Sequence, residues 1–173
     1  MEYSIEINES IRKKRLIYRL NGFALSYYII VSSFVYVLII AIFLFVSVVS
    51  FSQGEIVFAC LVMLFVAWMI ANFILVNKLT KISGCGINEN RALIIKVLNV
   101  YYSDLKLQDS GQMLVRDIKY SGPVSSGRCI TIIFNSNDFY INIQTLRWDE
   151  PSPFHGLFHY LKCQDIKKQF SKL

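Results

Sequence analysis

No charged side chain occurs between Arg19 and Glu55, and none between Glu55 and Lys78. Both stretches are built from Ile, Val, Leu, Phe and Ala. A hydrocarbon layer about 30 Å thick takes about 20 apolar residues of helix to cross. Residues 24–51 and 56–76 each satisfy that length. The sequence therefore predicts a transmembrane hairpin of two helices, with a turn at 52–55 that holds no base and the single acid Glu55.

Charge distribution orients such a hairpin. Arg12, Lys13, Lys14, Arg15 and Arg19 precede the first span, and Lys78 and Lys81 follow the second. Basic residues near span ends stay on the cytosolic side, so the expected arrangement has both termini in the cytosol and the 52–55 turn outside. A cleaved signal peptide is disfavoured, because the first apolar run is far longer than the 7–15 residues of a signal h-region. The same bases are expected to meet anionic lipid head groups, an attraction of about 1 kcal/mol per residue at a membrane surface. The chain has a formal net charge of +6. No nucleic-acid-binding pattern accompanies that surplus, so nucleic acid is excluded as the partner. Composition, together with the single short outer turn, suits an integral protein of a bacterial inner membrane.

After the hairpin, residues 77–87 read as a short basic linker and 88–173 as one small domain, a length sufficient for its own core. Residues 1–23 form a basic cytosolic segment ahead of the hairpin, expected to lie as an interfacial helix over 8–20. Asn88 is the expected cap of a helix over 89–102, whose Leu93, Ile94, Val97, Leu98, Tyr101 and Tyr102 share a face. A weak strand is expected at 113–120. The clearest strands, 128–135 and 139–146, flank Ser136-Asn137-Asp138 as a hairpin. In the second of them Phe139, Ile141 and Ile143 should be buried, leaving Tyr140, Asn142 and Gln144 on a wetter face. Ser152 and Pro153 open a final helix with Phe154, Leu157, Phe158 and Leu161 as its apolar stripe. Ile166 and Phe170 fall out of phase with that stripe, which predicts a break near 163–165. The fold class is thus a membrane protein of the α+β type: a two-helix hairpin followed by a cytosolic α-β-β-β-α domain around an antiparallel three-stranded meander.

Inside the spans, Ala67 and Ala71 form a small-xxx-small pair and Asn72 carries a polar amide, and these three are assigned to helix packing. With no Asp, Glu, Lys, Arg or His in either span, an ion or proton pathway lacks its usual groups.

Candidate chemistry is sparse. His155, His159 and Cys163 recur every four residues on one helix and are legitimate zinc ligands, with Asp149 and Glu150 nearby. One metal could take only neighbouring members, since the outer two are separated by about 12 Å along the axis. A nucleophilic pair of Cys129 or Cys163 with either histidine has no orienting group in the sequence. No catalytic residue, resident metal or cofactor is assigned. The four cysteines show no C-x-x-C spacing and are expected as free thiols. The functional expectation is a non-catalytic interaction or regulatory module of scaffold, regulator or toxin-immunity type, anchored in the lipid bilayer and meeting an unidentified protein partner. A homo-oligomeric pore or transporter accessory is the alternative. A tethered enzyme, with a site on the Tyr140, Asn142 and Gln144 face beside Arg147 and His155, is the second.

Overall fold

The computed structural model describes residues 5–18, 23–109, 113–119, 127–147 and 150–173. Arg19 and Asp149, two of the residues weighed above, lie outside them.

Two long helices dominate the first half. α2 runs over Phe23–Ser52 and α3 over Ile56–Leu75, antiparallel and joined by a turn in which Gly54 takes a left-handed conformation. At 1.5 Å per residue the 30 residues of α2 extend about 45 Å. Within them Phe34–Ser52, and in α3 Ile56–Leu75, are long and apolar enough to cross a membrane. Only 17% and 28% of these two stretches are buried within the protein.

The helices meet along Ala59, Val62, Val66, Met69 and Asn72 of α3, an i, i+3, i+4 seam. Ser47 donates to the Ala59 carbonyl at 3.1 Å, and Tyr36 to that of Met69 at 2.7 Å. Phe43 meets Phe65 edge-on, and Tyr36 stacks on Phe73. Ala67 is exposed and Ala71 half-buried, so the seam is not built on that pair. Ala59, Val62, Val66 and Met69 fill it, and hydroxyl-to-carbonyl bonds from Ser47 and Tyr36 tie the two helices together.

The second half is α+β, and its sheet is larger than the expected three-stranded meander. β1 (Thr80–Ser83), β2 (Gln108–Asp109), β3 (Leu114–Lys119), β4 (Gly127–Asn135), β5 (Asp138–Arg147) and β6 (Glu150–Pro151) form one antiparallel sheet. Its order is β1-β5-β4-β3-β2, with β6 on the far end of β5. The residues read as a linker thus contain an edge strand, placed where Thr80 and Ile82 can bury beside β5.

α4 (Ile87–Tyr101) and α5 (Gly156–Phe170) cover one face of the sheet. Ile94, Val97 and Leu98 of α4 pack with Phe139, Ile141 and Ile143 of β5 and with Cys163, Ile166 and Phe170 of α5. Gly86, not Asn88, stands at the α4 N-cap position. Asn90 performs the anchoring instead. Its oxygen accepts the Cys85 N–H at 3.1 Å and its amide donates to the Asn137 carbonyl at 3.0 Å, tying α4 to the β4–β5 turn.

Two further expectations are corrected. α5 is continuous through 163–165 after a 3₁₀ turn at Pro153–His155, with no break. Its buried side is Cys163, Ile166 and Phe170, while Phe154, Phe158 and Leu161 face outward. The phase change in the sequence marks two apolar stripes on opposite sides of one helix, not two helices.

The interfacial helix expected over 8–20 is shorter than read. α1 spans Ile7–Lys13 and ends with Lys14 in the left-handed region. The chain then turns back in extended form, bridging Ile5 to Tyr18 and Arg15 to Lys78. Leu16 is 2% exposed, packed with Leu79, Leu114, Ile133 and Tyr140 on the second face of the sheet. Ile5, Ile7, Ile11 and Tyr18 complete that smaller core. The sheet buries both faces.

Candidate functional site

Among the described residues, polar side chains from several elements converge where α3 ends and the sheet begins. A helix leaves its last carbonyls without intrahelical partners, and in buried surroundings they need donors. Here the donors come from β5. Asn142 gives its amide to the Val76 carbonyl at 3.1 Å and to the Lys78 carbonyl at 2.9 Å. Gln144 donates to the Val76 carbonyl at 3.2 Å and to the Asn77 side-chain oxygen at 2.7 Å. The Gln144 oxygen in turn accepts from the Tyr18 hydroxyl at 2.8 Å.

The returning N-terminal strand closes the same corner. The Leu16 N–H donates to the Asn77 carbonyl at 2.7 Å, and the Leu79 N–H to the Lys14 carbonyl at 3.0 Å. Asn142 and Gln144 are consequently 3% and 1% exposed. The wet strand face expected from the sequence is therefore closed. Alternation in β5 is real, but its two amides pair with backbone and side-chain groups of the protein rather than with water. A catalytic cleft at Tyr140, Asn142 and Gln144 has no room there.

α5 joins the corner from the other side. Asn72, buried in α3, donates to the Trp68 carbonyl at 2.8 Å, and its oxygen accepts the Leu157 N–H at 2.9 Å. It thereby caps the first turn of α5 from another helix. Gly156 permits this approach: a Cβ there would stand 2.2 Å from the Asn72 carbonyl oxygen and 2.8 Å from the Val76 nitrogen. Phe154 meets Tyr36 edge-on at 6.1 Å, with the Tyr36 ring in turn 5.1 Å from that of Phe73. Hairpin, sheet and α5 are locked into one corner by amides and backbone. Such groups do not titrate near neutral pH, so what the arrangement can do is position one part of the chain against another.

The histidine–cysteine series divides between environments. His155 is exposed, whereas His159 is half-buried and shares a 2.7 Å hydrogen bond with the Thr145 hydroxyl. Burial, with the nearby charges of His155 and Lys162, lowers the His159 pKa to about 4. Cys163 is buried against the sheet, and burial pushes its thiol up to about 12, away from nucleophilic use. Cys129 is likewise buried, with its sulfur 3.6 Å from the Thr131 hydroxyl. Among the described residues no group of three or more His, Cys, Asp and Glu side chains could hold a metal ion.

The basic residues sit as follows. Arg12 and Lys13 pair with Glu9 at 2.7 and 3.7 Å, and Lys81 pairs with Asp138 at 2.7 Å. Lys14, Arg15 and Lys78 are exposed, the last two brought side by side by the backbone bridge at the α3 exit. A separate ionic cluster lies at the opposite side of the sheet. Arg128 bonds buried Asp117 at 2.7 Å and Asp104 at 3.2 Å, lies over the Tyr102 ring, and shares Asp104 with Lys119. The hydrogen bond from Lys119, with that from Arg128, lowers the Asp104 pKa to about 2. Asp117 also accepts the Lys106 N–H at 3.2 Å, so this cluster pins the segment after α4 to β3 and β4.

Comparisons with protein-family models, with curated proteins and with solved structures find no match to this chain. Tyr18, Asn77 and Gly156 escaped sequence reasoning as members of the corner. One signal was present: two amides, Asn142 and Gln144, at alternate positions on either side of Ile143 in the middle of β5, where water-facing side chains would more often be charged.

Proposed function

We propose that this chain is a two-pass membrane protein whose sheet domain is a non-catalytic interaction or regulatory module, held rigidly to its anchor on the cytosolic side. The observation that carries the reading is the uncovered apolar surface of the hairpin. Phe34, Phe45, Val57 and Leu64 are each more than 60% exposed, with many neighbours alike. A core helix of a water-soluble domain would be mostly covered by protein, and soluble monomers rarely expose apolar patches beyond a few hundred Å². Lipid is the solvent that suits such a surface.

Sidedness draws support from Lys14, Arg15 and Lys78, gathered where α3 meets the sheet, against a far turn holding only Glu55 as a charge. The regulatory part of the reading draws on the corner itself. A domain fastened to its anchor by neutral hydrogen bonds transmits position, which suits a scaffold, a regulator or an immunity-type binder better than a freely tethered enzyme.

Three measurements test this. The expressed chain should stay with membranes through alkaline extraction, and its release into the supernatant would overturn the anchor. In intact cells an impermeant maleimide should label Gln53→Cys in the turn but not exposed Cys85, and the reverse pattern would invert the orientation. Cross-linking in native membranes followed by purification should recover a reproducible protein partner. Recovery of the chain alone as a defined oligomer would favour the self-assembled alternative.

A further inference from the structure

α5 is apolar on two sides. At 3.6 residues per turn, Leu157, Phe158 and Leu161 share one side of α5, roughly opposite Cys163, Ile166 and Phe170, and Phe154 of the preceding 3₁₀ turn leads into that side. Cys163, Ile166 and Phe170 are buried against the sheet. On the outward stripe Phe154 is 46%, Phe158 63% and Leu161 54% exposed. A helix on a water-exposed sheet domain needs only one such stripe, so the second requires an occupant.

We propose that the outward stripe of α5 is seated in the lipid interface of the same bilayer leaflet from which α3 emerges. This inference rests on the membrane reading above and adds a second, in-plane contact to it. Continuity names the occupant. The stripe begins at Phe154, which touches Tyr36 of α2, which stacks on Phe73 of α3. Phe73 and Ile74 are exposed at the end of the apolar hairpin. Whatever covers them reaches Phe154 and, one and two turns on, Phe158 and Leu161. Gly156 holds this start of α5 directly against the α3 backbone, so its depth is fixed by the anchor.

Polarity changes in the direction that such a placement requires. Farther from the anchor the same side of α5 carries Asp165 and Lys168, both exposed. The stripe is thus short and confined to the two turns beside the hairpin. An amphipathic helix with aromatic and leucine side chains on one face lies in the boundary between head groups and acyl chains. A hairpin with an additional surface-lying helix fixes the tilt of the domain over the membrane as well as its position.

The test uses the full chain in vesicles of phosphatidylcholine and phosphatidylglycerol, with Trp68→Phe and Trp148→Phe to remove native emission. Single probes are then introduced as Phe158→Trp, Leu161→Trp, Leu64→Trp and Lys168→Trp. The expected result is a blue shift at the first two, with loss of emission to lipids brominated near the head of the acyl chain. Leu64→Trp should be quenched most by bromines deep in the chain, and Lys168→Trp by neither. Quenching at Leu64→Trp with none at Phe158→Trp or Leu161→Trp would overturn the α5 placement and leave the anchor standing. No quenching at any position would overturn both. A photoreactive phenylalanine analogue at Phe158 in the native chain gives an independent readout. Cross-linking to phospholipid supports the proposal, and cross-linking to a second copy or another protein overturns it.

Discussion

The side-chain oxygen of Asn72 accepts the backbone N–H of Leu157 at 2.9 Å, across 85 positions of sequence. One amide inside a long apolar helix thereby caps a helix of the sheet domain. Replacing it with alanine removes an N-terminal cap, which costs about 0.5–2 kcal/mol. Asn72→Ala should lower the thermal stability of the detergent-solubilised protein and speed hydrogen exchange in the first turn of α5, with exchange in α4 unchanged.

Gly156 offers a test of sign. Within a helix, Gly to Ala ordinarily stabilises by about 0.8–1.0 kcal/mol through propensity. Here the added methyl would enter the α3 backbone at Asn72. Overpacking typically costs about 1–3 kcal/mol, and the obstacle is main chain. Gly156→Ala should therefore destabilise, and a gain in stability would show that α3 and α5 do not approach so closely.

Leu16 distinguishes two roles for the N-terminal segment. A residue merely resting on head groups would tolerate truncation. Buried among Leu79, Leu114, Ile133 and Tyr140, it should not: Leu16→Ala should cost about 2–5 kcal/mol, the range for a cavity in a packed core. Chemical denaturation of the reconstituted protein measures the difference.

The Tyr18–Gln144–Asn77 chain of hydrogen bonds should behave as a unit. Tyr18→Phe and Gln144→Leu remove opposite ends of one bond, and contacting residues show coupling of about 0.5–3 kcal/mol. The double variant should be less destabilised than the sum of the singles. Simple additivity would count against the network.

His159 sets a pH dependence. Its pKa is lowered to about 4 from about 6.5 in an unfolded chain, so the fold favours the neutral ring. Stability from this residue is complete above about pH 6.5 and declines as pH falls toward 4, because the unfolded chain then binds the proton more readily. The groups that lower it, besides burial, are His155 and Lys162. His159→Gln should flatten the stability profile between pH 6.5 and 4. The pairing of Asp104 with Lys119 and Arg128 acts lower, fading between its ordinary value and about 2.

Sequence alone determined what depends on local pattern. The lengths and apolarity of α2 and α3 follow from uncharged runs, and the β4–β5 hairpin from alternation around Ser136-Asn137-Asp138. The α4 face follows from its i, i+3, i+4 spacing. Each is a property of neighbours along the chain. Tertiary structure decided which of two apolar stripes on α5 turns inward. It also sent Asn142 and Gln144 to a helix end rather than to water, and made an edge strand of a basic connector. It folded residues 5–18 onto the sheet rather than leaving a free helix. These outcomes share one cause: a buried carbonyl or an apolar face takes its partner from whatever element the fold brings near. For Val76 those partners lie 66 and 68 residues away, a distance over which periodicity carries no information.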